Sequence, residues 1–157
     1  MGLDIRAMSR TTYHGNEGDP DQMCDEGFLW TYPNKDFPHQ ANGLQTGYYK
    51  GAKVLGFRAG SYTGYNQWRD WLARTMLGVS AETVWRHPAD FAERPFFELI
   101  NFADNEGVLG PETCKRLAEA FAAHDEQAQN SGEFYDLYQT WRKAFELAAD
   151  DGLVYFG

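Results

Sequence analysis

Residues 51–75 combine four cationic side chains with five aromatic rings, a combination that suits a small anionic, ring-bearing ligand. The cations are Lys53, Arg58, Arg69 and Arg74, and the rings are Phe57, Tyr62, Tyr65, Trp68 and Trp71. A guanidinium offers an anion a planar fork of N–H donors, and aromatic faces attract cations and flat molecules. The same rings could instead form a core, with the arginines neutralising an acidic surface, so the pattern leaves both interpretations open.

A second candidate is the pair Asp104 and Glu106, in a turn predicted between two helices. Two carboxylates this close could act as acid and base or hold a divalent cation, so both are candidate catalytic residues. Asp and Asn also bond backbone amides in turns, which makes a structural role the main alternative. The four histidines share no metal-binding spacing, and we therefore predict neither a metal nor a cofactor.

The stretch from residue 59 to residue 64 (AGSYTG) is a third candidate, because it precedes a predicted helix. Backbone amides and hydroxyls at a helix start stabilise anions. Capping by Ser61 or Thr63 explains the same residues without a ligand. This stretch therefore supports an anion site only together with other evidence.

The net charge and its distribution along the chain indicate which kinds of molecule the protein can bind. The chain has a net charge of −9, which argues against direct binding to a nucleic-acid backbone. With four basic residues and one acidic residue, residues 51–75 carry +3, whereas residues 101–157, with four basic and eleven acidic residues, carry −7. We therefore expect any anion to bind near residues 51–75.

Alternating and helical hydrophobic patterns predict the elements that must position these residues. Strands are predicted at 3–8, 28–32, 44–49, 53–57 and 153–156, with 44–49 and 53–57 forming a hairpin, and loops at 11–27 and 33–43. Helices are predicted from Ser61 or Thr63 to 77, at 96–102, at 111–124, and at 134–148 with Ser131 as its cap and Gly152 at its end. A short element at 81–86 precedes Pro88.

These elements predict one α+β domain spanning residues 1–157. We expect a small, mostly antiparallel sheet that includes both terminal strands and packs against about four helices. The first residues lack the basic end and apolar stretch of a signal peptide, and no apolar run approaches the ~20 residues that cross a bilayer. The sequence thus favours a cytoplasmic protein without membrane contact.

Three stretches stand out by their order and spacing: residues 1–5 (MGLDI), 57–69 (FRAGSYTGYNQWR) and 99–107 (LINFADNEG). Together they resemble an uncharacterised family of small proteins encoded by phages, prophages and bacteria. The resemblance implies a phage or prophage origin, and it singles out Asp4, Arg58, Ser61, Tyr65, Asn66, Trp68, Arg69, Asp104 and Gly107. Relatives often carry Cys where Asn105 stands, and some carry His where Phe102 stands, so these two departures of this chain argue against thiol or imidazole catalysis at this turn.

These observations favour a binding protein over an enzyme. We expect it to act in the cytosol of a bacterial host and to sequester a small anionic, nucleotide-derived defence signal. The candidate ligand-binding residues are Asp4, Arg58, Ser61, Tyr62, Tyr65, Asn66, Trp68 and Arg69. The sequence leaves open whether the partner is this small ligand or a host protein, and whether copies of the chain associate.

Two alternatives belong to other functional classes. A hydrolase of a phosphate-containing small molecule would use Asp104 and Glu106. An acidic inhibitor would instead mimic nucleic acid with the charge of residues 101–157 and occupy a host DNA-binding protein.

Overall fold

Seven strands form two antiparallel sheets in the computed structural model, which describes residues 2–17, 28–102 and 107–157. The strands are β1 (Gly2–Ser9), β2 (Thr12–Tyr13), β3 (Phe28–Thr31), β4 (Gly47–Lys50), β5 (Lys53–Ser61), β6 (Gly107–Leu109) and β7 (Leu153–Phe156). The main sheet has the order β5, β1, β7, β6, and the minor sheet has the order β2, β4, β3. Both terminal strands thus lie side by side in one sheet, as predicted.

The main sheet has one buried and one exposed face near the start of β1. Leu3, Ile5 and Ala7 point into the core, while Asp4 and Arg6 alternate with them and are exposed. We call the buried side the inner face and the exposed side the outer face. Period-two alternation of this kind is what lets a half-buried strand be predicted from sequence.

The predicted hairpin between residues 44–49 and 53–57 is wrong. β4 lies between β2 and β3 in the minor sheet, whereas β5 pairs with β1 along its whole length. The chain crosses from one sheet to the other close to β1, where a Cβ on Gly51 would lie 2.8 Å from the Met8 Cβ. Glycine therefore marks a close backbone approach at this point, rather than the turn of a hairpin.

The described residues contain seven α-helices, four of them with seven or more residues. They are α1 (Tyr62–Leu77), α2 (Ala81–Arg86), α3 (Pro88–Phe91), α4 (Phe97–Asn101), α5 (Pro111–Ala123), α6 (Asp125–Ser131) and α7 (Tyr135–Ala148). With the two sheets, they confirm the predicted α+β class. None of the helices in the described ranges combines the length and apolar character that crossing a bilayer requires.

The first helix begins as predicted, because the Ser61 hydroxyl accepts a hydrogen bond from the Gly64 amide at 3.0 Å. The final helix covers the inner face of the main sheet, also as predicted. Its Trp141 and Phe145 are fully buried, while Phe134, just before it, and Leu137 pack against the core and remain partly exposed.

The helical half differs in several details from the sequence prediction, which did not include α3. Residues 125–131 form α6, in which only Ala128 is buried, so there was no apolar repeat to predict it. Ser131 consequently ends α6, and Phe134 occupies the N-cap position of α7 without a capping side chain. Residues 107–109 form β6 rather than continuing a turn.

The two predicted loops also contain regular structure. The loop at 11–27 includes β2, and the loop at 33–43 includes a 3₁₀ helix at Pro38–Ala41. Residues 18–27 lie outside the described residues. Both elements are too short to show a hydrophobic period.

Candidate functional site

The three stretches singled out from the sequence meet at one end of the main sheet. β1 starts there at Gly2, which pairs with Ser61 at the end of β5. β6 starts there at Gly107, which pairs with Phe156 at the end of β7. Residues far apart in the chain are therefore neighbours at this sheet end.

Two of the predicted residues lie on the outer face at this end. Arg58 Nε is 3.8 Å from Asp4 Oδ1, and the two side chains are 62% and 61% exposed. The Arg58 side chain lies across the start of β1, so close to Gly2 that a Cβ on this residue would collide with the guanidinium. Asp4 and Arg58 thus form a solvated ion pair.

Two other predicted residues belong to the core beneath the inner face. Tyr65 packs between Trp141 and Phe156, with ring centroids 6.0 and 6.2 Å away. Trp68 stacks on Trp141, with the rings 6.0 Å apart and nearly parallel. Both Tyr65 and Trp68 are fully buried, so no face of either ring is open to a ligand. Tyr62 is 40% exposed at the start of α1.

Arg69 joins two of the three stretches from inside the protein. Its Nη1 donates to the carbonyl oxygens of Phe102 and Ile100, at 2.6 and 3.2 Å. Its guanidinium lies 4.7 Å from the centre of the Tyr65 ring and 4.5 Å from that of Trp85. The residue is only 5% exposed. Arg69 therefore holds α1 against the end of α4, since carbonyls at a helix end need external donors.

The proposed catalytic pair Asp104 and Glu106 lies outside the described residues. The residues on either side are described and lie close together. The Phe102 ring is 4.8 Å from the Phe156 ring, and Gly107 pairs with the same Phe156. Phe102 and Gly107, the described residues on either side of 103–106, thus both lie beside the end of β7.

A groove of about 630 Å³ runs along α1, and its lining includes Asn66, a hydrogen-bond partner of Arg69. We call it the α1 groove, and its lining residues are Thr63, Asn66, Gln67, Asp70, Trp71, Arg74, Glu133 and Phe134. Its apolar lining comes from Phe134, which is partly exposed, and from Trp71, which is only 8% exposed, with the two ring centroids 5.5 Å apart. The groove thus pairs an aromatic surface with polar side chains, the usual character of a small-molecule site.

Asn66 connects the groove to Arg69. The Arg69 Nη2 donates to the Asn66 Oδ1 at 2.5 Å, while the Asn66 side chain lines the groove. Asn66 is thus the one predicted ligand residue that is partly exposed, borders the groove and contacts Arg69 directly.

The charged groups of the groove are two carboxylates and one guanidinium. Asp70 Oδ2 accepts from Arg74 Nε at 2.7 Å, and Asp70 Oδ1 accepts from the Ala81 amide at 3.0 Å. Desolvation raises the pKa of Asp70, but the hydrogen bonds from Arg74 and Ala81 outweigh it and hold the pKa below its ordinary value. The Asp70 carboxylate is therefore ionised at neutral pH, and with Glu133 it gives the groove a net negative charge.

The sequence indicated Trp71 and Arg74 as parts of a ligand site but missed Gln67, Asp70 and Glu133, although a signal existed for the residues on α1. Thr63, Gln67, Asp70 and Arg74 follow each other at spacings of four, three and four, which places them on one stripe of the predicted helix. Glu133 and Phe134 had no comparable signal, because the start of α7 was assigned to Ser131. The opposite stripe, Tyr65, Trp68, Arg69 and Leu72, already placed Arg69 on the buried side.

Within residues 2–17, 28–102 and 107–157, no group of three or more His, Cys, Asp or Glu side chains is placed to hold a metal ion. Cys114 is a buried free thiol, and burial raises its pKa, so it is a poor nucleophile. Comparison of the chain with protein-family models, with curated proteins and with solved structures finds no match.

Proposed function

We propose that this chain is a binding protein for a small nucleotide-like molecule and that the ligand occupies the α1 groove. The groove supports this proposal, because its lining combines the partly exposed ring of Phe134 and the 8% exposed Trp71 with the carboxamides of Asn66 and Gln67. A flat base can pack on aromatic side chains, and carboxamides both donate to and accept from its edge.

Arg74 takes over the role that the sequence suggested for Arg58 and Arg69. Arg58 pairs with Asp4 on the outer face, and Arg69 donates to carbonyls inside the protein. Arg74 borders the groove and meets Asp70 through Nε, so its Nη groups provide the guanidinium contact for a phosphate. Because Asp70 and Glu133 share the groove, we expect the base to contribute more affinity than the phosphate.

The biological setting rests on the resemblance of the three stretches to phage and prophage proteins. A nucleotide-binding protein of this origin would sequester a nucleotide-derived defence signal inside the host. Such a protein returns its ligand unchanged. A hydrolase acting through Asp104 and Glu106 would convert more than one equivalent of the same ligand.

Calorimetric titration with GMP and AMP tests the binding proposal, with ribose 5-phosphate as the probe that lacks a base. We expect heat of binding from at least one nucleotide and at least tenfold weaker binding of ribose 5-phosphate. Gln67→Ala should weaken nucleotide binding about fivefold, on the order of one hydrogen bond. The matched control is Gln129→Ala, an exposed helical glutamine on α6 that does not line the groove.

Chromatography of the nucleotide after denaturing the complex completes the test, and recovery of intact nucleotide supports a binder. The proposal is overturned if neither GMP nor AMP binds, or if Gln67→Ala and Gln129→Ala change the affinity equally. Turnover beyond one equivalent would favour the hydrolase.

A further inference from the structure

We infer that the α1 groove selects a 6-oxopurine base, such as guanine, and that Arg69 sets this preference by fixing the side-chain amide of Asn66. This inference rests on the proposed nucleotide-binding function and names its ligand class. Arg69 is not among the residues that line the groove. It is a positioning residue that acts through Asn66.

The Arg69 guanidinium is held from several sides. The rings of Tyr65 and Trp85 lie 4.7 and 4.5 Å from its central carbon, and its Nη1 donates to the carbonyls of Ile100 and Phe102. These contacts involve α1, α2 and the end of α4. Its Nη2 therefore points to Asn66 from a fixed place.

Arginine carries only donors, so the Asn66 atom that meets it must be the oxygen. The Asn66 Oδ1 accepts from Nη2 at 2.5 Å. The amide has one acceptor end and one donor end, and Arg69 occupies the acceptor end. The end that remains for the groove is the Nδ2 amino group, which requires an acceptor atom on the ligand.

The groove also presents an acceptor. Glu133 lines it and is exposed, and a carboxylate accepts from ring N–H groups. A donor and a carboxylate in one groove complement guanine, whose O6 and N7 accept while N1–H and N2–H₂ donate. Adenine presents an amino group in place of O6, so it would set a donor against the Asn66 amino group.

The net charge of the groove agrees with this class of base. Asp70 and Glu133 outnumber Arg74, which disfavours a ligand recognised mainly through its phosphates. Base selection by hydrogen bonding is the stronger discriminator in such a site. A site that pairs polar groups of one ligand leaves them unpaired with the wrong one.

The test compares GMP with AMP, which share ribose and phosphate, in wild type, in three variants of Asn66 and Arg69, and in the control variant Gln129→Ala. In wild type we expect GMP to bind about tenfold tighter than AMP, on the scale of one base-specific contact. Asn66→Asp keeps the bond to Arg69, now between opposite charges, and presents an oxygen to the groove. It should therefore keep its melting temperature and reverse the preference towards AMP.

Arg69→Met frees the Asn66 amide to rotate, so the preference for GMP should fall below about threefold. Arg69→Lys keeps a donor and should retain part of the preference, an effect that loss of packing alone would not produce. If Arg69→Met fails to fold, Asn66→Asp still decides the question, because it leaves Arg69 in place. Gln129→Ala should match wild type.

The outcomes separate this inference from the proposed function. Equal binding of GMP and AMP, or unchanged GMP preference in Asn66→Asp, overturns the inference and leaves the nucleotide-binding function standing. Absence of binding by both nucleotides overturns the function itself. Reversal in Asn66→Asp together with loss of preference in Arg69→Met supports the inference.

Discussion

Arg58 and Arg69 come from the same basic, aromatic segment, yet the fold gives them opposite surroundings. Arg58 faces outward from β5, is 62% exposed, and reaches Asp4 only at 3.8 Å. Arg69 lies on the buried stripe of α1, is 5% exposed, and contacts two rings and two backbone carbonyls. A basic stretch of sequence is therefore not a basic surface, since the strand and helix periods distribute its charges to different sides of the sheet.

The comparison also separates a solvated site from a fixed one. The outer face offers side chains that water and salt screen. Beneath the inner face, packing fixes the positions of the side chains. Asn66 accepts a hydrogen bond from the buried Arg69 and lines the α1 groove, so its side-chain amide is fixed as well. Ordered donors next to an aromatic surface are what a small-molecule site requires.

Removing residues 153–157 should have the largest effect, because β7 lies between β1 and β6 and supplies Val154 and Phe156 to the core. Loss of this burial costs several kcal/mol against a total stability of about 5–15 kcal/mol. We expect the truncated chain to lose its cooperative unfolding transition in urea. A transition like that of the full chain would show that the inner face does not depend on β7.

Arg69→Met should destabilise the protein by about 3 kcal/mol, because the Phe102 carbonyl loses its donor and Tyr65 and Trp85 lose the cation between them. Urea denaturation measures this change. A loss below about 1 kcal/mol would mean that Arg69 is no more important than a surface arginine.

Ser61→Ala tests the junction between β5 and α1, where the two regions meet. Losing the hydroxyl that accepts from the Gly64 amide should cost about 1 kcal/mol, the usual value of an N-cap. Thermal unfolding checks this, with Thr140→Ala on the exposed side of α7 as the control. If both variants lose the same free energy of unfolding, the Ser61 hydroxyl does not stabilise α1 as an N-cap.

Arg58→Ala should have the smallest effect, about 0.5 kcal/mol or less, because exposed ion pairs contribute little. We expect unchanged nucleotide binding as well. Weaker nucleotide binding in this variant, with an unchanged melting temperature, would place the ligand on the outer face near Arg58 rather than in the α1 groove.

The comparison also explains which features were predictable from sequence. β1 and α1 have clear hydrophobic periods, and Ser61 marks the change from β5 to α1, so β1 and α1 were predicted correctly. The partner of β5 was not predictable, because pairing depends on long-range contacts, and the chain changes sheets at Gly51. The contacts of Arg69 were not predictable from the sequence either, because the carbonyls of Ile100 and Phe102 lie 31 and 33 residues further along the chain.

A map of amide chemical shifts during titration of the labelled protein with GMP tests whether the ligand occupies the α1 groove. We expect the side-chain amides of Asn66 and Gln67 and the indole N–H of Trp71 to shift together, while the backbone amides of Asp4 and Arg58 do not. Shifts confined to Asp4 and Arg58, or no shifts along α1 at saturating GMP, would show that the groove is not the binding site.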